Sequence, residues 1–177
     1  MTAMLKHDAG VLCAPTAFGK TVTAAAIIAR RGVNTLVLVH RTELLKQWQE
    51  RLQAFLGVGK GVVGTIGGGK AKPTGIVDIA VMQSLSRQGK VNALVENYGQ
   101  IVVDECHHVG AASFDAILKR TKARFVLGLT ATPIRRDGQQ PIIFMQCTAG
   151  IQDVFRHLAN DLARTNAIAA EAAAASE

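Results

Sequence analysis

An eight-residue run near the N-terminus has the residue types and spacing of a loop that binds phosphate groups. It reads APTAFGKT and matches the pattern G-x-x-x-x-G-K-[ST], except that alanine replaces the first glycine. In such loops, backbone N–H groups and the N-terminus of the following helix face the phosphate oxygens. The pattern therefore predicts nucleotide contacts from Ala14, Pro15, Thr16, Ala17, Phe18, Gly19, Lys20 and Thr21.

Two of these residues are predicted to do chemistry beyond cradling phosphate. The Lys20 ammonium group would bridge the β- and γ-phosphates of a nucleotide, and the Thr21 hydroxyl would ligate Mg²⁺. The alternative is a turn that only resembles a phosphate loop. It is disfavoured because an apolar strand pattern precedes the run and a helical pattern follows it.

An acidic pair, Asp104 and Glu105, follows the apolar run at residues 101–103. Phosphoryl transfer to water requires one carboxylate that holds Mg²⁺ and another that orients the attacking water. We assign the first role to Asp104 and the second to Glu105, and count both with Lys20 as candidate catalytic residues. Taken alone, the pair also fits the N-terminus of a helix, where acidic residues are favoured. The phosphate loop elsewhere in the chain favours the catalytic interpretation.

The histidines after the acidic pair, His107 and His108, do not make a convincing zinc site, because the sequence offers no further ligands at suitable spacing. For His107 we expect a hydrogen-bonding role that links the nucleotide site to neighbouring loops. His108 is interpreted as structural. The three cysteines lie far apart and suggest neither a zinc pattern nor a disulfide framework.

Apolar runs of strand length alternate with helical patterns along the chain. The runs are residues 10–13, 34–40, 61–66, 76–81, 100–103 and 124–129, with one more at 141–146. Helical patterns cover residues 21–31, 42–55, part of 83–98 and 113–122, and residues 67–73 are a predicted loop. This alternation predicts an α/β fold whose mostly parallel sheet is sandwiched by helices.

Three polar clusters each follow a predicted strand: residues 14–21, 104–108 and 130–132. Because ligands gather at the carboxyl ends of parallel strands, these clusters are expected to share one site.

Composition and charge set the broad class of the protein. The chain has 177 residues, of which 49% are hydrophobic and 19% charged, as in a globular protein. The net charge is +7, and residues 41–90 hold eight Lys or Arg against three Asp or Glu. A basic surface suits nucleic acid, but a merely solvated basic surface explains the charge equally well. No membrane-length apolar run or signal-peptide pattern is present, so a cytoplasmic protein that does not bind membranes is expected.

Together the phosphate loop, the box Asp104-Glu105-Cys106-His107 and the run LTATP at residues 129–133 resemble motifs I, II and III of superfamily 2 helicases of the DExH/DEAD-like type. The similarity is strongest to helicase subunits of type III restriction enzymes and to excision-repair helicases. A leading alanine is normal in that superfamily, whereas glycine is more usual at Ala17. The resemblance implies the first RecA-like domain of a helicase, a P-loop NTPase fold that takes ATP and Mg²⁺.

Two further segments, residues 37–44 and residues 78–85, resemble the loops that line the nucleic-acid track in that superfamily. By this likeness Arg41, Thr42, Gln83 and Ser84 are candidate backbone contacts, although Arg41 fits a plain surface cation equally well. Thr130, Ala131 and Thr132, with His107, would couple the nucleotide state to nucleic-acid binding. The apolar face of its helix favours core packing for Trp48 over stacking on a base. DNA is favoured over RNA as the partner.

The resemblance covers about residues 10–147, so we expect a RecA-like domain at residues 1–147 and an alanine-rich helical tail at 148–177. In that superfamily, arginines of a second RecA-like domain complete the ATP site. We therefore expect this chain to need such a domain, in cis or in trans, for ATP hydrolysis coupled to nucleic-acid binding. The alternative is a non-catalytic remnant or regulatory module that binds nucleotide or nucleic acid. A P-loop kinase or GTPase is disfavoured because it leaves the run at 129–133 without a role.

Overall fold

The computed structural model describes residues 4–15, 18–87, 90–106 and 111–131. Within these ranges the strands are β1 (Ala9–Cys13), β2 (Thr35–Val39), β3 (Val63–Gly67), β4 (Lys70–Lys72), β5 (Val77–Val81), β6 (Ser86–Arg87), β7 (Lys90–Val91), β8 (Gln100–Val103) and β9 (Phe125–Thr130). The helices are α1 (Lys20–Arg31), α2 (Glu43–Leu56), α3 (Met82–Leu85) and α4 (Ala111–Arg120), with 3₁₀ turns at Met4–Lys6 and Ala93–Asn97. A membrane-spanning segment, by length and hydropathy, is not found among these helices.

Among the described strands, seven form one sheet in the order β1-β9-β8-β2-β5-β3-β4. Every neighbouring pair is parallel except β3 and β4, which form an antiparallel hairpin at one edge. The central strands β2, β5 and β8 are buried along their whole length, which explains why they are continuous apolar runs rather than alternating patterns. The predicted α/β fold with a mostly parallel sheet is confirmed.

Alternate residues of each strand pack into two different hydrophobic layers. Leu36 and Leu38 of β2 lie on the face covered by α3, α4 and the 3₁₀ turn at Ala93–Asn97. Val37 and Val39 lie on the opposite face, which α1 and α2 cover. Since side chains of a strand alternate between faces, one buried strand contributes to both layers. The sheet is therefore sandwiched by helices, as predicted.

The structure confirms one predicted element in shorter form and corrects another. Residues 83–98 are helical in part, as predicted. Helix α3 ends at Leu85, and the short hairpin of β6 and β7 and a 3₁₀ turn follow it. Residues 67–73 were expected to form a loop, but they include the edge strand β4 (Lys70–Lys72). The exposed lysines of β4 are the kind of residue that protects a sheet edge against pairing with another chain.

Three predictions lie outside the described residues and stay predictions. They are the strand at 141–146, the domain boundary at residue 147 and the helical tail at 148–177.

The amino ends of the strands carry a buried polar cluster around Asp78, which is fully buried. Its carboxylate accepts hydrogen bonds from the backbone N–H groups of Thr74 and Gly75, both at 2.7 Å, and from the Tyr98 hydroxyl at 2.6 Å. The Thr74 hydroxyl lies 3.3 Å from the same carboxylate. Because a buried charge is costly unless it is hydrogen-bonded, these donors are required for the fold.

Gly64 of β3 lies directly against this cluster, and we predict that Gly64→Ala destabilises the chain. An added Cβ would overlap Asp78 Oδ1 and lie 2.5 Å from the Lys72 carbonyl oxygen and 2.8 Å from the Thr74 nitrogen. We expect a loss of about 2 kcal/mol in the free energy of unfolding, measured by urea denaturation. The matched control is Gly61→Ala, where the added Cβ meets no atom within 4 Å. Equal denaturation midpoints for the two variants would contradict this packing.

Candidate active site

Helix α1 begins at the end of the predicted phosphate loop, and Gly19 makes the turn. Gly19 has a φ of 87°, in the left-handed region that favours glycine, and its carbonyl accepts the Thr23 N–H at 2.9 Å. Gly19 makes no side-chain capping hydrogen bond, and the first N–H groups of a helix have no partner within the helix, so they are available to an anion. Earlier in the loop, the Phe18 N–H donates to the Pro15 carbonyl at 3.2 Å. Thr16 and Ala17 lie outside the described residues.

The start of the loop is tied to the end of β9. The Ala14 N–H donates to the Thr130 carbonyl at 3.0 Å, and the Ala14 carbonyl accepts from Lys20 Nζ at the same distance. Thr130, the last residue of β9, is buried, and Ala131 directly after it is half-buried. The structure thus joins one predicted coupling residue, Thr130, to the phosphate loop, and Ala131 follows it in the chain. The other two, His107 and Thr132, lie outside the described residues.

The acidic pair lies across from the loop, at the carboxyl end of β8. Lys20 Nζ lies 3.8 Å from Glu105 Oε1. The Asp104 N–H donates to the Leu38 carbonyl, which extends the pairing with β2 by one residue. Glu105 has a φ of 44°, a value that is uncommon for residues other than glycine. Strained backbone of this kind clusters at functional sites, where surrounding contacts hold it in place.

The Asp104 carboxylate is held by two hydrogen-bond donors. Its Oδ2 accepts from Trp48 Nε1 at 2.7 Å, and its Oδ1 accepts from the Glu105 N–H at 3.0 Å. Burial raises the pKa of the Asp104 carboxyl above its ordinary value, and the hydrogen bond from Trp48 acts in the opposite direction. The neighbouring Glu105 charge also raises this pKa. A cation placed beside the pair would be favourable for the same electrostatic reason.

Phosphate and Mg²⁺ both fit the residues assembled at this edge. The N-terminus of α1 and the Lys20 ammonium group favour anionic oxygens. Asp104 and Thr21 supply the oxygen ligands that Mg²⁺ prefers. Among the described residues no cluster of three or more His, Cys, Asp or Glu side chains is arranged to hold a metal by protein ligands alone. Mg²⁺ usually binds through one or two carboxylates, together with water and substrate phosphates.

Helix α2 contributes two side chains that the sequence did not assign to this site. Trp48, expected to pack in the core, is indeed buried, and its indole N–H also reaches Asp104. Arg51 Nη1 lies 3.4 Å from Thr21 Oγ1. In the sequence, only the presence of a tryptophan could have indicated such a contact, because a buried indole N–H requires an acceptor.

The four predicted nucleic-acid contacts follow the two neighbouring strands β2 and β5. Arg41 and Thr42 are exposed after β2, and Gln83 is exposed and Ser84 half-buried after β5. The turn of the β3–β4 hairpin lies against the first pair, since a Cβ added at Gly68 would lie 3.1 Å from the Thr42 methyl carbon. Thr42 occupies the N-cap position of α2, but its hydroxyl makes no capping hydrogen bond. These residues therefore form a separate exposed group beside the acidic site.

Comparison with known families agrees with this arrangement. A family profile described as "Type III restriction enzyme, res subunit" matches residues 2–135 of the chain. A DNA 3'-5' translocase XPB2 of Sulfurisphaera tokodaii is 32% identical over 140 residues, which cover 79% of this chain and 30% of that protein. A DNA 3'-5' helicase XPB of Mycobacterium tuberculosis is 32% identical over 141 residues, which cover 76% of this chain and 25% of that protein. The chain thus spans less than a third of the length of these relatives.

Solved structures show the same fold. The Pyrococcus furiosus Hef helicase domain superposes with a TM-score of 0.68 at 24% identity, over 82% of this chain and 34% of that one. At this level of identity the likeness concerns the fold, which is that of a RecA-like helicase domain.

The backbone at Glu105 generates a prediction about stability. We expect Glu105→Gly to be more stable than Glu105→Ala by about 1 kcal/mol, because glycine relieves the left-handed strain while both variants lack the carboxylate. Thermal denaturation of the two variants measures the difference. A Glu105→Ala variant as stable as Glu105→Gly would show that this residue is not held in a strained conformation.

Proposed function

The chain belongs to the family of type III restriction enzyme res subunits, within the superfamily 2 helicases, and on that premise we propose that it is the ATP-binding domain of a nucleic-acid translocase. Its proposed reaction is Mg²⁺-dependent ATP hydrolysis coupled to nucleic-acid binding. A second RecA-like domain, in the same polypeptide or a separate one, would complete the site.

One observation carries this proposal. The Lys20 ammonium group lies between the Ala14 carbonyl, at 3.0 Å, and the Glu105 carboxylate, at 3.8 Å, beside the N-terminus of α1. Its side chain is only 12% exposed. A cation, a carboxylate pair and a helix N-terminus thus converge at the ends of three adjacent strands, β1, β9 and β8. This combination suits triphosphate binding and its hydrolysis.

Each residue has a defined part in the proposed reaction. The amides of the phosphate loop and Lys20 would bind and orient the phosphates, while Thr21 and Asp104 would hold Mg²⁺. Glu105 would orient the attacking water and accept its proton. Bound Mg²⁺ supplies charge neutralisation on the phosphate oxygens. Thr130, hydrogen-bonded to the loop at Ala14, and the adjacent Ala131 would transmit the nucleotide state to the rest of the domain.

The nucleic-acid partner is proposed from two features. The pairs after β2 and β5 lie within residues 41–90, which hold eight Lys or Arg against three Asp or Glu, and three of their four side chains are exposed. Both relatives described above carry DNA in their names, and we therefore propose DNA before RNA.

We predict that Lys20→Ala lowers the affinity for ATP at least tenfold, because it removes the ammonium group facing the phosphates.

Glu105→Gln should keep ATP affinity within a factor of about three and abolish hydrolysis, because an amide cannot accept the proton from water. Calorimetric titration with ATP and Mg²⁺ measures binding, and release of labelled phosphate measures turnover.

The matched controls are Lys46→Ala and Glu50→Gln, which change the same residue types in an exposed ion pair of α2. Both should behave as wild type. Unchanged ATP affinity in Lys20→Ala would overturn the site.

Turnover by residues 1–177 alone is expected to be far below about 1 s⁻¹, because an arginine supplied by another domain raises the rate about 10³- to 10⁵-fold in related phosphate chemistry. Binding without hydrolysis, even after a second RecA-like domain is added, would favour the non-catalytic alternative.

We predict that Arg41→Ala weakens DNA binding and lowers the slope of log affinity against log salt concentration by about 1, as expected for one lost phosphate contact. Fluorescence anisotropy with a labelled oligonucleotide at several salt concentrations measures both. Arg124→Ala is the control, because this exposed arginine pairs with Asp8 at the amino end of β9. If both variants lower the slope by the same amount, Arg41 makes no specific contact.

A further inference from the structure

Helix α2 reaches two residues of the proposed magnesium site. Trp48 Nε1 donates to Asp104 Oδ2 at 2.7 Å. Three residues later, Arg51 makes a longer contact of 3.4 Å with Thr21 Oγ1. Residues three apart lie on one face of a helix, so a single face of α2 is directed at both proposed Mg²⁺ ligands.

Trp48 has little freedom to move away from this contact. It is 3% exposed and packs in the hydrophobic layer that α1 and α2 form on the sheet, together with Leu45 and Leu52. An indole N–H is a donor only, and leaving it buried without an acceptor costs about 1–3 kcal/mol. Packing therefore fixes the ring, and the ring in turn fixes the direction of its N–H toward Asp104.

The consequence for Asp104 is a carboxylate held at both oxygens. Trp48 donates to Oδ2 and the Glu105 backbone donates to Oδ1. A carboxylate has about four lone-pair positions, so these two donors leave acceptor capacity for a metal-bound water. Asp78 at the other end of the sheet differs, because it accepts from Thr74, Gly75 and Tyr98 and its role is structural.

We propose that Trp48 is a positioning residue that orients Asp104 for Mg²⁺, acting through the indole N–H; this rests on the function proposed above. The carboxylate is set in its working orientation before the cation arrives, so that less conformational freedom is lost on binding. Comparable supporting contacts to metal ligands contribute about 10- to 100-fold in metal affinity.

The test separates this role from a purely structural one by means of a matched pair. Trp48→Phe keeps an aromatic ring and loses the N–H donor. Tyr98→Phe likewise removes one buried aromatic donor to an aspartate, Asp78, at the opposite end of the sheet. Both variants are expected to lose thermal stability, but only Trp48→Phe is expected to reduce the effect of Mg²⁺ on ATP affinity.

ATP affinity is measured by calorimetry for each variant with Mg²⁺ and with EDTA. We expect the gain in ATP affinity produced by Mg²⁺ to fall about tenfold in Trp48→Phe, whereas affinity in EDTA stays at the wild-type value. Tyr98→Phe should keep the full gain. If Trp48→Phe also keeps the full gain, or if Tyr98→Phe loses as much, the positioning role is overturned. A wild-type chain that shows no Mg²⁺-dependent ATP affinity overturns the proposed function, and this inference with it.

A second measurement needs no change at Trp48. The chain contains one tryptophan, so wild-type protein gives one indole N–H signal in a nitrogen–proton NMR spectrum. Asp104→Asn should move that signal upfield, because an amide oxygen is a weaker acceptor than a carboxylate. Adding ATP with Mg²⁺ to wild type should also shift it, and ATP with EDTA should shift it much less. A signal that shifts neither on the Asp104 substitution nor on addition of ATP with Mg²⁺ contradicts the inference.

Discussion

The parallel alignment of β1, β9, β8, β2 and β5 is the constraint on which the rest of the structure depends. It brings five carboxyl ends to one edge of the sheet, so residues that are far apart in the chain become neighbours. Ala14 and Thr130 are joined by a backbone hydrogen bond, and Lys20 and Glu105 by an ion pair, only because their strands run in the same direction. The same edge divides into a candidate nucleotide region at β1, β9 and β8 and an exposed group after β2 and β5.

Aspartates at the two ends of the parallel strands serve two different purposes. Asp78 lies at the amino ends of the strands and is surrounded by donors from a turn and from Tyr98. Asp104 lies at the carboxyl ends, next to a second carboxylate and a lysine, and burial raises its pKa. A carboxylate whose acceptor positions are all filled stabilises the fold, whereas a carboxylate that keeps acceptor capacity beside the phosphate loop can still accept from a ligand. The number and arrangement of donors, rather than burial alone, distinguish the structural carboxylate from the candidate catalytic one.

The fold class and the convergence of the phosphate loop, the acidic pair and the end of β9 were predictable from the sequence. Buried parallel strands are continuous apolar runs, and the ends of such strands meet at one edge. The segment after α3 was not predictable, because its apolar residues Val91 and Val95 are four apart, as on one face of a helix, and pack instead from a hairpin and a 3₁₀ turn. The link between Trp48 and Asp104 joins residues 56 positions apart, and periodicity alone indicates only that Trp48 is buried. That link depends on how α2 packs on the sheet.

A crystal structure of the chain with Mg²⁺ and a non-hydrolysable ATP analogue tests the central claim most directly. The account predicts the triphosphate against the N-terminus of α1, with Lys20 Nζ at its β- and γ-phosphate oxygens and Mg²⁺ beside Thr21 and Asp104. It also predicts that Trp48 keeps its hydrogen bond to Asp104 in that complex. A nucleotide bound elsewhere on the sheet, or bound here with Lys20 and Asp104 turned away from it, would contradict the account.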